Sequence, residues 1–346
     1  MNSPLIFRAD ASSETGVGHV MRCLALAQAW QDAGGRVICA CAELPATLAT
    51  RLERENILCV PVPAAVGSEA DTAFTLNLAA QHEAAWIALD GYRFTPGYSE
   101  ILRSAGFQVM VVDDMAHLNR YPCDLLLNQN LSADAASYRA KVDTNTALLL
   151  GPRYALLRRE FRLVAGSRLP AARPARRVLV SFGGGDMENF TLRILSNLAA
   201  GTSRGLEVVV LAGAANPHAD ALRRFAATAP FACEIRVDEE NVAAVMASAD
   251  AAITAAGSTV WELAALRLPA LVGAHEENQL AGLAALRDVP AFRAMAVEQL
   301  LARDLAAELA VLPAFPETDE FGAGGAERVV AHMKALSVRF APDLVL

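Results

Sequence analysis

Short apolar runs alternate with longer segments of helical periodicity in the first half of the chain. Between the first two runs, Cys23, Leu26, Ala27 and Trp30 have the i, i+3, i+4, i+7 spacing of a helix that packs one face on a core. Strands that are apolar on both faces and alternate with helices are typical of a parallel sheet covered on both sides. The predicted strands of this half are LIFRAD (5–10), RVICACAE (36–43), LCVPVP (58–63), AAWIALD (84–90), FQVMVVDD (107–114) and DLLLN (124–128).

The alternation stops at residues 165–177 (AGSRLPAARPARR), where small residues, prolines and arginines predict a linker. It then restarts, so we expect an α/β protein of two Rossmann-like parallel-sheet domains, 1–164 and 178–315, with a ligand cleft between them. The segment 316–346 ends in a predicted helix, and one arrangement packs it back on the first domain. The predicted strands of the second half are RVLVSF (177–182), LEVVVLAG (206–213), CEIRVD (233–238), AAITA (251–255) and PALVG (269–273).

Composition narrows the range of partners. The chain has 346 residues and a net charge of −8, which disfavours binding to nucleic acid or to an anionic membrane, because such partners require a basic face. The N-terminus lacks the pattern of a secretory leader, and no apolar run approaches ~18 residues. We expect a soluble cytoplasmic protein and favour a monomer, although the sequence carries no signal for the oligomeric state.

Six scattered cysteines without a C-x-x-C pair favour buried reduced thiols, and no metal or cofactor is expected.

Three glycine-rich turns lie between the end of a strand and the start of the following helix. The first contains Gly16 and Gly18, the second (SFGGGD) contains Gly183 and Gly184, and the third (TAAGSTVWEL) contains Gly257. A helix N-terminus carries unpaired N–H groups and a partial positive charge, and glycine lets a ligand approach closely. Two such turns in the second half suggest a bound diphosphate. A steric requirement of the turn explains any one of them equally well.

The third turn continues into residues that suit a nucleotide. Ser258 and Thr259 can meet phosphate there, and Glu262, one turn into the helix, can accept two ribose hydroxyls. The segment EENQ then begins the next helix and offers Asn278 and Gln279 as polar side chains facing the cleft. The alternative for all of these residues is ordinary helix capping.

His19 follows the first glycine turn directly and is the candidate general base. A helix N-terminus disfavours imidazolium, so the ring stays neutral near pH 7 and can accept a proton. A capping or packing histidine is the alternative. His117 is a weaker candidate for the general base.

Carboxylates and one arginine mark the ends of two predicted strands. Arg8 and Asp10 end the first strand on one face, where they either contact substrate or form an internal ion pair. Asp113 and Asp114 are adjacent and need not converge on a metal ion, because successive strand residues point to opposite faces. We favour one inward, hydrogen-bonding aspartate and no metal.

A nicotinamide cofactor is a minor alternative for the first turn. Gly16 and Gly18 open a helix, and Glu43 ends the next strand, where a ribose-binding acid would lie. Met21 occupies the third small position of that fingerprint, however, and the loop from Asp10 is too long for the tight dinucleotide turn.

Several motifs in order resemble those of the UDP-2,4-diacetamido-2,4,6-trideoxy-β-L-altropyranose hydrolases of pseudaminic acid biosynthesis (the PseG family). The resemblance runs from residue 4 to about 285 and includes FRADASSETGVGHVMRCLALA, LDGY, VVDDMAH, LLNQN, RYALLRREF, SFGGGD, AGSTVWELAALRLPAL and ENQ. It implies a GT-B-like fold similar to that of the peptidoglycan UDP-N-acetylglucosamine transferase, with UDP bound mainly by the second domain. One departure is Met187 in GGGDMENFT, where relatives more often carry proline.

The resemblance also implies site residues. His19 matches the catalytic base, Glu262 the ribose ligand and Asn278 a residue near the sugar or the diphosphate, and Tyr92 of LDGY is a further substrate-binding candidate. The implied reaction is attack of water on the anomeric carbon with inversion. UDP leaves as a stable anion, so the acid–base pair of ordinary glycosidases is unnecessary. A GT-B glycosyltransferase with a UDP-sugar donor and a non-catalytic nucleotide-sugar-binding protein are the alternatives.

Overall fold

The computed structural model describes residues 3–12, 16–165, 174–201, 205–214, 216–315 and 321–339. The chain divides into two compact units. The first comprises residues 1–159 and 324–346, and the second comprises residues 160–323. Most of the predicted linker, residues 166–173, lies outside the described residues.

The first unit is built on a seven-stranded parallel sheet. Its strands are β1 (Leu5–Ala9), β2 (Val37–Cys41), β3 (Leu58–Pro61), β4 (Trp86–Asp90), β5 (Gln108–Val112), β6 (Leu125–Asn128) and β7 (Ala147–Leu150). Its helices in the described residues are α1 (Gly18–Asp32), α2 (Ala46–Arg54), α3 (Glu69–Gln81), α4 (Pro96–Ser104), α5 (Ala136–Arg139), a 3-10 turn (Pro152–Tyr154) and α14 (Gly325–Arg339).

The order of these strands places the site. They run β3-β2-β1-β4-β5-β6-β7, so the chain moves outward from β1 in one direction and from β4 in the other. Ligands of open α/β sheets bind beyond the carboxyl ends of the strands at such a reversal. Ala9 and Asp90 are register partners there, so the β1–α1 loop begins beside the end of β4.

Helix α14, near the C-terminus, belongs to the first unit. Val329, Val330 and Met333 are buried in the apolar cluster that contains the inner face of α1. Gly325 begins this helix against the backbone of Ala155, where a Cβ atom would lie 2.1 Å from the carbonyl oxygen. The C-terminal helix is therefore part of the core of the first unit.

The second unit repeats the plan with six parallel strands in the order β10-β9-β8-β11-β12-β13. Its strands are β8 (Arg177–Ser181), β9 (Glu207–Ala212), β10 (Ala232–Val237), β11 (Ala251–Ala255), β12 (Ala270–Ala274) and β13 (Phe292–Ala296). Its helices in the described residues are α6 (Arg159–Ala165), which begins at the boundary, α7 (Phe190–Ala200), α8 (Ala219–Ala226), α9 (Val242–Ala247), α10 (Thr259–Ala265), α11 (Glu277–Arg287), α12 (Val297–Leu301) and α13 (Leu305–Ala310).

The predicted pair of Rossmann-like parallel sheets is confirmed. In the second unit the order reverses between β8 and β11, and the Thr254 hydroxyl donates to the Ser181 carbonyl across that pair at 2.9 Å. Two of the predicted glycine turns thus begin on adjacent strands. Within the described ranges, no helix is both long and apolar enough to span a bilayer.

Candidate active site

His19 lies in the first turn of α1, at the carboxyl edge of the first sheet. Its Nδ1 atom is 2.7 Å from Oδ1 of Asp90, which ends β4 and is fully buried. Nη2 of Arg22 also lies 3.2 Å from Nδ1. The carboxylate contact is shorter, and a carboxylate can only accept, so Nδ1 carries the hydrogen. In the neutral ring, Nε2 then holds the free lone pair, which is the arrangement a general base requires.

Arg22 follows one turn later on the same helix and joins two carboxylates. Its Nε and Nη2 donate to Asp90 at 2.5 and 2.6 Å, and two further N–H groups donate to Asp114 at 2.8 and 2.9 Å. All three side chains are largely removed from water. Two carboxylates and one guanidinium leave one net negative charge beside His19, which protonation of the ring would balance.

The same contacts set the ionisation of the carboxylates. Burial by itself raises the pKa of Asp90, but the charges of Arg22 and His19 outweigh it and hold that pKa well below its usual range. The pKa of Asp114 is lowered in the same way, with Arg22 again outweighing burial. Both groups therefore remain ionised at neutral pH.

Acid should weaken the first unit through Asp90. A carboxylate with a lowered folded-state pKa stabilises the fold above its unfolded pKa of ~3.9, and this contribution is lost as the pH falls through the folded value. We expect the free energy of unfolding to fall as the pH drops below about 4, and to fall less steeply in Asp90→Asn. Urea denaturation across this range measures both slopes. Equal slopes would contradict the expectation.

Tyr92 stands at the outer side of this cluster. Its hydroxyl donates to Oδ2 of Asp114 at 3.0 Å, and its ring meets the His19 ring edge-on with centroids 5.0 Å apart. Its side chain is 41% exposed. The His117 ring also meets the Tyr92 ring edge-on, with centroids 6.0 Å apart. The first unit therefore brings His19 and Tyr92 together, with exposed aromatic surface beside the candidate base.

Asp113 has a different environment from its neighbour. It is buried and accepts hydrogen bonds from the hydroxyls of Tyr121 and Tyr138 and from the amides of Met115 and Ala116. One inward, hydrogen-bonding aspartate was expected at this pair, whereas both Asp113 and Asp114 are largely buried and accept hydrogen bonds. Among the described residues, no group of three His, Cys, Asp or Glu side chains is arranged to hold a metal ion.

Arg8 is fully buried, and it makes its polar contacts with Asp71, Asp10 and the Ala40 carbonyl. It makes a bidentate pair with Asp71 at 2.9 Å for both bonds and contacts Asp10 at 2.6 Å. Asp10 also accepts from the amides of Ala42 and Glu43 at 2.6 and 3.1 Å. The structure thus contains the internal ion pair that was the alternative to substrate contact. These bonds tie the end of β1 to the loop after β2.

The first glycine turn flanks a stretch that lies outside the described residues, 13–15. Gly16 has a φ of +70°, and its amide donates to the Ser12 carbonyl at 3.0 Å. A Cβ atom at Gly16 or Gly18 would meet nothing within 4 Å. Among the described residues, no atom would therefore obstruct a side chain at these two positions.

The second glycine turn ends in a carboxylate that caps its helix. Asp186 accepts from the amides of Phe190 and Thr191 at 2.8 and 3.0 Å. These are first-turn amides of α7, so a side chain already occupies the position expected for an anion. Gly183, with a φ of +81°, and Gly184 precede Asp186 in the loop, where only their backbone can meet a ligand.

The third turn has a different N-terminus. Ser258 precedes α10 without a side-chain capping hydrogen bond, and the Cβ position of Gly257 is open. Thr259 begins the helix, and Glu262 is half-buried in its first turn. The phosphate-binding role of this turn stays a prediction, and it would use the backbone N–H groups at the start of α10.

EENQ forms the start of α11. Gln279 accepts from the amide of His275 and donates to Glu276, both at 3.2 Å. Asn278 lies in the first turn of α11, but its side chain is outside the described part of the structure.

Gly213, after β9, supports the second glycine turn by close backbone contact. A Cβ atom there would lie 2.3 Å from the carbonyl oxygen of Gly184 and 2.5 Å from its Cα. We expect Gly213→Ala to destabilise the protein by about 2 kcal/mol, because backbone atoms would have to move. Thermal unfolding measures the loss. Gly185→Ala is the matched control, since its Cβ position is open, and equal stability of the two variants would contradict the expectation.

Comparison with known proteins gives relatives in sequence and in fold. No family model matches the chain. The UDP-2,4-diacetamido-2,4,6-trideoxy-beta-L-altropyranose hydrolase of Campylobacter jejuni is 27% identical over 278 residues, which is 80% of this chain and 93% of that protein. The predicted resemblance to that hydrolase is confirmed.

Solved structures that are similar to this chain agree on the fold. MurG of Acinetobacter baumannii superposes with a TM-score of 0.56 at 17% identity, covering 98% of this chain and 99% of that one. The glycotransferase of kitacinnamycin gives a TM-score of 0.60 at 18% identity, covering 99% and 100%. At these identities the likeness establishes the shared fold alone.

The sequence reasoning missed two residues of the candidate site. Asp90 lies within the quoted motif LDGY, and Arg22 lies one turn after His19 in the quoted helix. Asp90 could have been found from its type and position, because a carboxylate at the carboxyl end of a central strand faces the start of neighbouring helices.

Proposed function

We propose that this protein is an enzyme that hydrolyses a UDP-linked 2,4-diacetamido-2,4,6-trideoxy sugar to the free sugar and UDP, within nonulosonic (pseudaminic) acid biosynthesis. The observation that carries the proposal is the 2.7 Å contact between His19 Nδ1 and the buried Asp90 carboxylate. The similarity to the C. jejuni hydrolase supplies the substrate class.

The proposed reaction is one displacement at the anomeric carbon. Nε2 of His19 takes a proton from water, the water oxygen bonds to C1, and the bond from C1 to the diphosphate oxygen breaks with inversion. The imidazolium that forms balances the net negative charge of Asp90, Arg22 and Asp114. UDP carries away the electron pair as a stable anion, so no acid is required for the leaving group.

The remaining roles follow the sequence expectations. In the first unit, Gly16, Gly18 and Tyr92 contact the sugar, and Arg8 and Asp10 shape the same edge through their ion pair. Asn278 and Gln279 contact the sugar or the diphosphate from α11. The residues proposed to bind UDP are Gly183, Gly184, Gly257, Ser258, Thr259 and Glu262.

Turnover of a panel of UDP-sugars in oxygen-18 water tests the reaction. We expect label in the free sugar and none in UDP, because water attacks carbon, and turnover of UDP-linked diacetamido sugars above that of UDP-N-acetylglucosamine. Mass spectrometry of the products measures both. Label in UDP would show attack at phosphorus and reject the mechanism.

A glycosyltransferase is the second candidate, because the fold is shared with the kitacinnamycin glycotransferase. It would transfer the sugar to an acceptor alcohol, so release of free sugar without an acceptor separates the two. UDP binding without any turnover would instead indicate a nucleotide-sugar-binding protein.

Glu262→Gln tests the nucleotide half of the proposal. Loss of a charged acceptor for the ribose hydroxyls should weaken UDP binding about tenfold, as expected for a hydrogen bond to a charged group. Isothermal titration calorimetry with UDP measures the change. Glu207→Gln is the control, because Glu207 begins β9 at the opposite edge of the sheet. Unchanged affinity in Glu262→Gln would remove the ribose role.

A further inference from the structure

Three cysteines lie on one face of the first sheet, on the neighbouring strands β2 and β3. Cys39 and Cys41 are two positions apart on β2, with their sulfur atoms 3.8 Å from each other. Cys59 is on β3, in direct register with Cys39. Cys39 and Cys41 belong to the buried apolar cluster around α1, and Cys59 packs against it. All three are free thiols.

The positions of Cys39 and Cys59 suit a disulfide. Neighbouring strands lie about 4.8 Å apart, and disulfides join residues whose Cα atoms are roughly 4.4–6.8 Å apart. Both side chains lie on the same face of the sheet, where Cys39 is part of the apolar cluster around α1 and Cys59 packs against it. Cys41 is two residues from Cys39 on one extended strand, where the backbone holds the Cα atoms near the upper limit of that range.

Access and reactivity differ between the three thiols. Cys39 and Cys41 are buried, whereas Cys59 is half-buried on β3, which forms one edge of the sheet. The interaction with the Cys39 thiol lowers the pKa of Cys59, while the contacts of Cys39 with Cys41 and Cys59 raise the pKa of Cys39. Since the thiolate is the reacting form, Cys59 is the thiol that an oxidant meets first.

We propose that Cys59 and Cys39 form a thiol–disulfide exchange site for low-molecular-weight disulfides such as glutathione disulfide. The Cys59 thiolate attacks one sulfur of the disulfide, forming a mixed disulfide and releasing one glutathione thiolate. Cys39 then loses its proton, its sulfur bonds to that of Cys59, and the second glutathione leaves. Two protein thiols are oxidised by two electrons, and one glutathione disulfide is reduced to two glutathione molecules. The bond ties edge strand β3 to β2.

The test uses the native full-length chain incubated with glutathione disulfide, followed by alkylation of the remaining thiols and mass spectrometry of the intact chain and its peptides. We expect two fewer alkylated thiols per chain and a peptide pair joined through Cys39 and Cys59, both reversed by dithiothreitol. Cys39→Ala should trap one glutathione on Cys59, because the second attack is lost.

Two serine variants complete the design. Cys59→Ser should keep all its other thiols reduced, and the matched control Cys41→Ser should still form the Cys39–Cys59 bond. Absence of that peptide pair from the oxidised wild-type protein, a bond between Cys39 and Cys41 in its place, or unchanged oxidation of Cys59→Ser would each overturn the proposal. The wild-type peptide map decides even where a variant does not fold.

Discussion

His19→Asn should lower turnover of the UDP-sugar by at least ~100-fold, the usual scale for a lost general base. Asparagine can keep a hydrogen bond to Asp90, but it offers no lone pair of comparable basicity toward water. The binding of UDP should be unchanged, because the residues proposed to hold it belong to the second unit. Release of UDP measured by a coupled assay and UDP affinity measured by calorimetry check the two halves of the expectation.

His82→Asn is the matched control for this variant. His82 follows α3 and precedes β4, so it lies at the amino edge of the sheet, opposite the edge that carries Asp90. We expect this control to retain wild-type turnover. Near-normal turnover in His19→Asn would reject the proposed base, while loss of UDP binding in that variant would mean that the proposed division of roles between the units is wrong.

Most of the strands could be predicted from sequence because they are buried on both faces. The eleven predicted runs correspond to β1–β6 and β8–β12. The two strands that were missed, β7 and β13, are edge strands of their sheets. β7 has only four residues, and β13 contains Arg293, which pairs with Glu308. Edge position does not explain these two misses by itself, because β3 and β10 are also edge strands and their runs were predicted.

The candidate site could be predicted only where its residues lie on one element and are close in sequence. His19 and its glycine turn are contiguous in the sequence, so a local pattern marks them. The contact between His19 and Asp90 joins residues 71 positions apart, and it exists because β1 and β4 are neighbours in the sheet. Arg8 is the opposite case. The period-two spacing of β1 predicted that Arg8 lies near the site, but in the structure its side chain pairs with Asp71 of α3. Strand order decides both outcomes, and spacing alone does not encode it.

Strand order also explains how one buried arginine can form hydrogen bonds with two carboxylates. Asp90 ends β4 and Asp114 follows β5, the adjacent strand, so their side chains reach the same edge of the sheet. Arg22, projecting from α1, bridges them with four hydrogen bonds. A buried ion cluster of this kind is costly unless its geometry is complete. Removal of either carboxylate should therefore affect the position of the arginine as well as the charge beside His19.

Asp90→Asn should lower turnover by roughly 10²–10⁴-fold, the range for loss of a general base or of the carboxylate that fixes its tautomer. The amide that replaces the carboxylate can donate to Nδ1, which would move the ring hydrogen to Nε2 and remove the lone pair that faces water. Nitrogen-15 NMR of the histidine ring measures the tautomer directly, and steady-state kinetics measure turnover. A shift of the hydrogen to Nε2 together with lost turnover would connect the two effects.

Asp124→Asn separates this role from a structural one. Asp124 lies in the same unit, pairs with Arg103 at 3.3 Å and accepts from the amide of Val109, so its loss removes a partly buried ion pair away from His19. We expect Asp124→Asn to reduce stability while leaving turnover and the His19 tautomer unchanged. If Asp90→Asn also lost stability alone and kept its turnover, the carboxylate would serve only to hold Arg22, and His19 would act without an orienting partner.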